Sequence, residues 1–225
     1  MRYIISVILL LIITNISAQE INYDLKIKLD SIEEKDQELR KLFYPISNEE
    51  KKSILTKFGY TWEEFKEEGW EIVSKQDTIN IHEVSNIIKQ NGYPGNSLVG
   101  KPTNTVAWSV IQHSNKIEEY FPLIKKAGLE KEIPMTLVAM MEDRMLMYKG
   151  LPQKYGTQAS GHEIKDPKTN ETVWESFIWP IESPSAVNEL RKEIGFKQSI
   201  EESVKDMDID YKVLTLDDIK SLSTN

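Results

Sequence analysis

Proline and glycine cut the first two thirds of this chain into lengths that suit helices, and between the cuts the apolar residues recur at helical spacing. Leu25, Leu29, Ile32, Leu39 and Phe43 mark one stripe within residues 22–44. Pro45 ends it, because proline lacks an amide donor and restricts the residue before it. Ser47 followed by Glu50 predicts the capped start of a second helix that stops near Gly59, and Thr61 with Glu64 repeats the start signal. Ile81, Val84, Ile87 and Ile88 place a further helix over 80–90, with Asp77-Thr78 before it reading as a cap. Gly92-Tyr93-Pro94-Gly95 breaks that helix. Helices over 105–114, 118–127 and 134–148 follow, with Gly128 and Gly150 as stops and Pro134 in the first turn of the last.

Beyond Gly150 the pattern changes. Residues 158–164 and 171–178 are β-compatible, and Asp166-Pro167-Lys168-Thr169-Asn170 between them is rich in turn formers, which predicts a two-stranded hairpin. Helix returns over 185–193 and stops at Gly195. Residues 199–225 have weak periodicity and read as a loosely held tail. The expected fold is mainly α: a single helical domain over 20–198 with a small β-hairpin in the C-terminal third.

The first residues read as an export signal. Arg2 supplies positive charge, Ile4 to Ile13 are apolar apart from Ser6, and Ile16-Ser17-Ala18 suits cleavage after residue 18. No later segment is apolar for long enough to cross a bilayer. The expectation is a periplasmic or secreted protein with no membrane attachment once the signal is removed. The chain has no cysteine, which excludes disulfides, thiol nucleophiles and thiolate metal sites and leaves core packing to stabilise it. Its net charge is −8, and losing Arg2 with the leader makes it one unit more negative. An acidic surface argues against nucleic acid, whose phosphates need clustered Lys and Arg, and against anionic lipid.

Candidate chemistry gathers in two places. Histidine is the natural acid–base residue near neutral pH, and of only three in the chain His113, after Gln112 at the edge of an apolar stripe, is the candidate general acid or base. The other reading of His113 is a partly buried ring held by a local hydrogen bond. His82 reads as a surface or capping residue, and His162 lies in the hairpin. The second place is Glu142 to Gln158. Asp143 and Arg144 are neighbours on a helix and point about 100° apart, so each needs its own partner. Asp143 is expected to orient His113 or another donor, and Arg144 to hold an anionic group, since its planar fork matches carboxylate or phosphate. Alternatively Arg144 belongs to an internal ion pair with Asp36 or Glu142. Gln153, Tyr155 and Gln158, with amides and a hydroxyl that donate and accept, are expected to bind the ligand, or else to satisfy the backbone of their own loop. Asp36 and Arg40, one turn apart, read as a helix salt bridge. No metal-ligand spacing, phosphate loop, dinucleotide fingerprint or serine elbow is present, so no metal and no cofactor is expected.

These pieces form an ordered series: Asp36, Gln37 and Arg40; Gly92, Tyr93 and Pro94; Gly100; Gln112 and His113; Asp143 and Arg144; Gly150, Pro152, Gln153, Tyr155, Gly156, Thr157 and Gln158; and Asn188, Arg191 and Gly195. The series resembles an uncharacterised bacterial family of unknown function, with Tyr93 where tryptophan is usual. The resemblance spans most of the mature chain and implies one domain to which all the polar motifs belong. It brings no activity with it. The reading that follows is an exported protein whose polar pocket takes a small polar or anionic ligand, with hydrolysis or group transfer as its chemistry. Its rival is a non-catalytic exported binding or scaffold domain whose polar motifs form a structural network.

Overall fold

The computed structural model describes residues 20–165 and 171–222; the expected export signal and the hairpin turn at 166–170 lie outside them. The architecture is mainly helical with a small hairpin. Helix α1 (Tyr23–Lys41) starts where the Asn22 side chain accepts from the Leu25 amide, and it buries Leu25, Leu29, Ile32, Asp36 and Leu39. Helix α2 (Asn48–Phe58) is capped by Ser47 and ends at Gly59, whose φ of 76° is the left-handed conformation glycine tolerates.

Helix α3 differs from expectation. Thr61 and Glu64 form a capping box, and the helix then runs from Trp62 to Asn91, kinked at Glu68, so the stripe at 80–90 is its second half. Asp77 is therefore not a cap. It lies inside the helix, where a partner on α1 outweighs the preference of Asp for helix starts.

A short helix α4 (Asn96–Val99) and a 3-10 turn (Thr103–Thr105) lead into α5 (Val106–Gln112). Val106, Ala107, Trp108, Val110 and Ile111 of α5 are buried, so the core encloses this helix on most sides. Helices α6 (Ile117–Leu129) and α7 (Met135–Tyr148) pack on one another and on α5. The Trp108 indole donates to the Leu137 carbonyl at 2.8 Å and ties α5 to α7.

Strands β1 (Ala159–Lys165) and β2 (Thr172–Ile178) pair antiparallel, from Ala159 opposite Ile178 to Lys165 opposite Thr172, as the sequence predicts. Helices α8 (Val187–Ile194), α9 (Ile200–Asp206) and α10 (Leu216–Leu222) follow. Residues 199–209 are docked rather than loose. Ser199 and Glu202 form a capping box, and Ile200, Val204 and Ile209 join Ile178, Ile181 and Val187 in a core cluster. Among the described residues no helix is long and apolar enough to cross a membrane.

Two larger clusters share α1 and α3. One takes Leu25, Leu29 and Ile32 with Ile81, Val84 and Ile87; the other takes Leu39 and Leu42 with Ile72 and Val73. Between them, on the same helix faces, lie Asp36 from α1 and Asp77 and Asn80 from α3. A polar layer thus separates the two apolar ones.

Candidate functional site

Asp36 occupies the position that the helical repeat gives to an apolar residue between Ile32 and Leu39, and it is 1% exposed. A buried carboxylate is costly unless paired, and this one is paired on several sides. The His113 ring lies on it, with Nδ1 3.0 Å from Oδ2 and 3.3 Å from Oδ1. The Gln37 amide donates to Oδ2 at 2.6 Å, and Asn80, itself held by Gln76, donates to Oδ1 at 3.5 Å. Arg40 reaches Asp36 through Nη1, at 2.6 Å to its carbonyl and 3.5 Å to Oδ1. Its Nη2 bonds both oxygens of Asp77 at 2.8 and 2.7 Å. The expected Asp36–Arg40 contact is therefore part of a four-residue charge network.

Burial alone would push the Asp36 carboxyl up. The hydrogen bond and charge of His113, the charge of Arg40 and the Gln37 amide outweigh it and hold the group below its ordinary 3.8. Asp77 moves the other way: burial raises it, against the Arg40 guanidinium. An ionised Asp36 can only accept, so Nδ1 of His113 must donate, and the lone pair of the neutral ring is then on Nε2. A folded-state value below the unfolded one contributes stability that is present above about pH 4 and is lost as pH falls through the folded value. The gap in melting temperature between wild type and Asp36→Asn should accordingly be widest near neutral pH and narrow on acidification in thermal melts. A gap independent of pH would remove the ionised carboxylate from the account.

His113 is the residue after α5, with helix-terminal φ and ψ of −89° and 1°. The turn beyond it is fixed by Ser114, whose amide and hydroxyl both donate to the Ile111 carbonyl at 3.0 and 2.8 Å. His113 lines an open cleft of about 480 Å³ whose walls include Ser114, Ile117, Glu118, Met145 and Lys149. Lys149 bonds Glu118 at 2.7 Å beside it.

The Glu142–Gln158 block is built differently. Asp143 on α7 is 0% exposed, and its oxygens accept from the amides of Lys154, Tyr155 and Thr157 and from the Thr157 hydroxyl, at 2.8 to 3.2 Å. Burial raises its carboxyl even so. Asp143 holds a loop, and the carboxylate on His113 is that of Asp36. Gln153, also 0% exposed, accepts from the Gln158 amide at 2.8 Å and donates to the carbonyls of Gln158 and Trp179 at 2.9 and 2.7 Å, joining the loop to the hairpin. The Tyr155 carbonyl accepts from buried Arg191 at 2.8 Å. Arg191 also donates to Gln198 and lies 4.6 Å from the centre of the Phe196 ring. Gly156 has φ of 70°, and a Cβ there would lie 2.6 Å from Ile200 Cδ1, so this turn requires glycine.

Arg144 is the member of the block that bonds the backbone of the residue before the histidine. Its Nε donates to Gln158 Oε1 at 3.0 Å and its Nη1 to the Gln112 carbonyl at 3.4 Å, while Nη2 has no partner among the described residues. It pairs with neither Asp36 nor Glu142; Glu142 pairs with Lys154. The structure therefore links Arg144 and Gln158 to the backbone of Gln112, next to His113 in the chain but not among the walls of its cleft, and turns Asp143 and Gln153 into the loop. His82 is exposed on α3, and His162 faces Glu175 across the hairpin at 3.5 Å.

Sequence reasoning did not assign Asp36, Asp77 or Asn80 to the site. The available signal was a polar residue at a stripe position on two helices at once. Asp36, Asp77 and His113 each place a ligand atom within 4.8 Å of the others. A cation bound there would have to displace the Arg40 guanidinium from both Asp77 oxygens, so this donor set fits an internal charge network better than a metal cage.

Residues 24–215 match the Family of unknown function (DUF6624), and the chain belongs to that family. No curated protein and no solved structure matches it.

Proposed function

We propose that this protein is an exported enzyme of the general acid–base type that acts on a small polar or anionic ligand by hydrolysis or group transfer. The observation that carries the reading is the buried Asp36 carboxylate on Nδ1 of His113, a residue that lines an open cleft and whose Nε2 has no hydrogen-bond partner among the described residues. In this mechanism Nε2 takes a proton from a water or hydroxyl of the ligand. Asp36 stabilises the imidazolium that forms, and the proton is returned to the leaving group. Asn80, Gln37 and the Arg40–Asp77 pair hold Asp36 in position. Arg144, whose Nη2 has no partner among the described residues, holds an anionic group of the ligand, and Gln158 fixes the guanidinium through Nε.

The rival reading, a non-catalytic exported binding or scaffold domain, draws on the saturation of Asp143, Gln153 and Arg191 by their own loop. Thermal melts of the mature chain against a panel of small metabolites and cell-wall fragments separate a ligand site from a purely structural network, and turnover of the ligand so found separates an enzyme from a binding domain. A ligand at a hundred times its Kd stabilises by about 2.7 kcal/mol. We expect an anionic member of the panel to raise the melting temperature of wild type but not of Arg144→Ala. Equal shifts in both proteins would remove Arg144 from the site, and no shift from any member would favour the scaffold.

A further inference from the structure

A second cleft lies between α2 and the start of α3 and shares no wall residue with the one at His113. It measures about 380 Å³, within the range of small-molecule sites, and its walls include Asn48, Lys51, Lys52, Leu55, Tyr60 and Trp62. Two ammonium groups border it and, among the described residues, no carboxylate does, although the chain as a whole carries a net charge of −8. Neither lysine forms an ion pair with a described residue, whereas Lys57 on the same helix pairs with Glu34 and Lys66 on α3 with Glu63.

Lys51 is positioned in another way. Its Nζ stands 4.7 Å from the centre of the Trp62 ring. A π face attracts an ammonium without neutralising it and leaves its N–H donors unused. The cleft therefore combines an uncompensated, oriented cation and a second cation with apolar walls from Leu55, Tyr60 and Trp62. A bare anion would use the lysines alone, and a neutral ring the walls alone. A flat or ring-shaped organic acid uses both. The lysine ammonium, a compact point charge, takes a carboxylate without demanding a bidentate approach.

We infer that the Lys51–Lys52–Trp62 cleft is a binding site for a small carboxylate-bearing ring compound. Two sources share that chemistry, an aromatic acid and an acidic sugar. Calorimetric titration of the mature chain with benzoate and with galacturonate distinguishes them, with benzyl alcohol and galactose as uncharged counterparts. The expected result is saturable binding of at least one acid, stronger than that of its neutral counterpart. It should weaken as salt is added and fall at least about tenfold, equivalent to about 1.4 kcal/mol, in the double variant Lys51→Gln, Lys52→Gln. Trp62→Leu, which removes the ring that holds Lys51, should weaken it as well. All these positions face solvent at least in part, so the melting temperature should stay at the wild-type value and certify that the variants are folded. The inference is overturned if neither acid saturates, if a neutral counterpart binds as tightly as its acid, or if the folded double variant binds as wild type does. His113→Ala should leave this binding unchanged, which keeps its fate separate from that of the acid–base site.

Discussion

Asp143→Ala is expected to be the most damaging single substitution in the polar motifs, lowering stability by about 3–5 kcal/mol. The carboxylate is fully buried and receives three loop amides and one hydroxyl. Removing it strands those donors, and each buried donor left unsatisfied costs about 1–3 kcal/mol. Partial opening of the loop to water keeps the total below the simple sum. For a chain of this size that corresponds to a fall in melting temperature of roughly 6–20 °C. Asp143→Asn, which keeps one acceptor oxygen, should lie between alanine and wild type. A melt of Asp143→Ala within about 2 °C of wild type, less than 1 kcal/mol, would show that the loop does not depend on this anchor.

The second large effect is on activity. Once the ligand panel has supplied a substrate, His113→Ala should lower turnover by about 10²–10⁴-fold, the usual contribution of a positioned acid–base group. The His113 ring is a partner of the buried Asp36 carboxylate, so stability should fall as well, though by less than in Asp143→Ala, and turnover measured on folded protein carries the test. Asp36→Asn should lower turnover too, because an amide no longer favours the Nδ1–H form or stabilises an imidazolium, and its stability should also fall. A His113→Ala protein that melts as early as Asp143→Ala while retaining turnover would place His113 in the core network and favour the scaffold reading.

The contrast between these residues shows what the chain reveals before folding. The helices of the first two thirds were legible because their ends are written in local chemistry. Ser47 and Thr61 cap, Gly59 and Gly150 stop, and the apolar stripes need no distant information. The hairpin was legible for the same reason. That local logic misplaces Asp77, since Asp before an apolar run reads as a cap, whereas Arg40, 37 positions away, bonds it inside the helix. Residues 199–209 looked loose because a helix of seven residues has little periodicity of its own; its burial depends on Ile178, Ile181 and Val187.

Within the candidate site, His113 and Arg144 could be picked out by residue type. Asp36 reads as half of a helix salt bridge with Arg40, though its place in the Leu25–Leu29–Ile32–Leu39 stripe marks it as buried. Aspartate, glutamine and threonine suit a ligand and a turn equally well, so the Glu142–Gln158 block gave no means of separating Arg144 from the loop residues around it.

The central claim is that Asp36 fixes the histidine tautomer, and nitrogen-15 NMR of His113 at a pH where the ring is neutral tests it most directly. The account predicts a protonated Nδ1 and a bare Nε2 in the wild-type protein, with Asp36→Asn losing that preference. A wild-type ring protonated at Nε2 would contradict it.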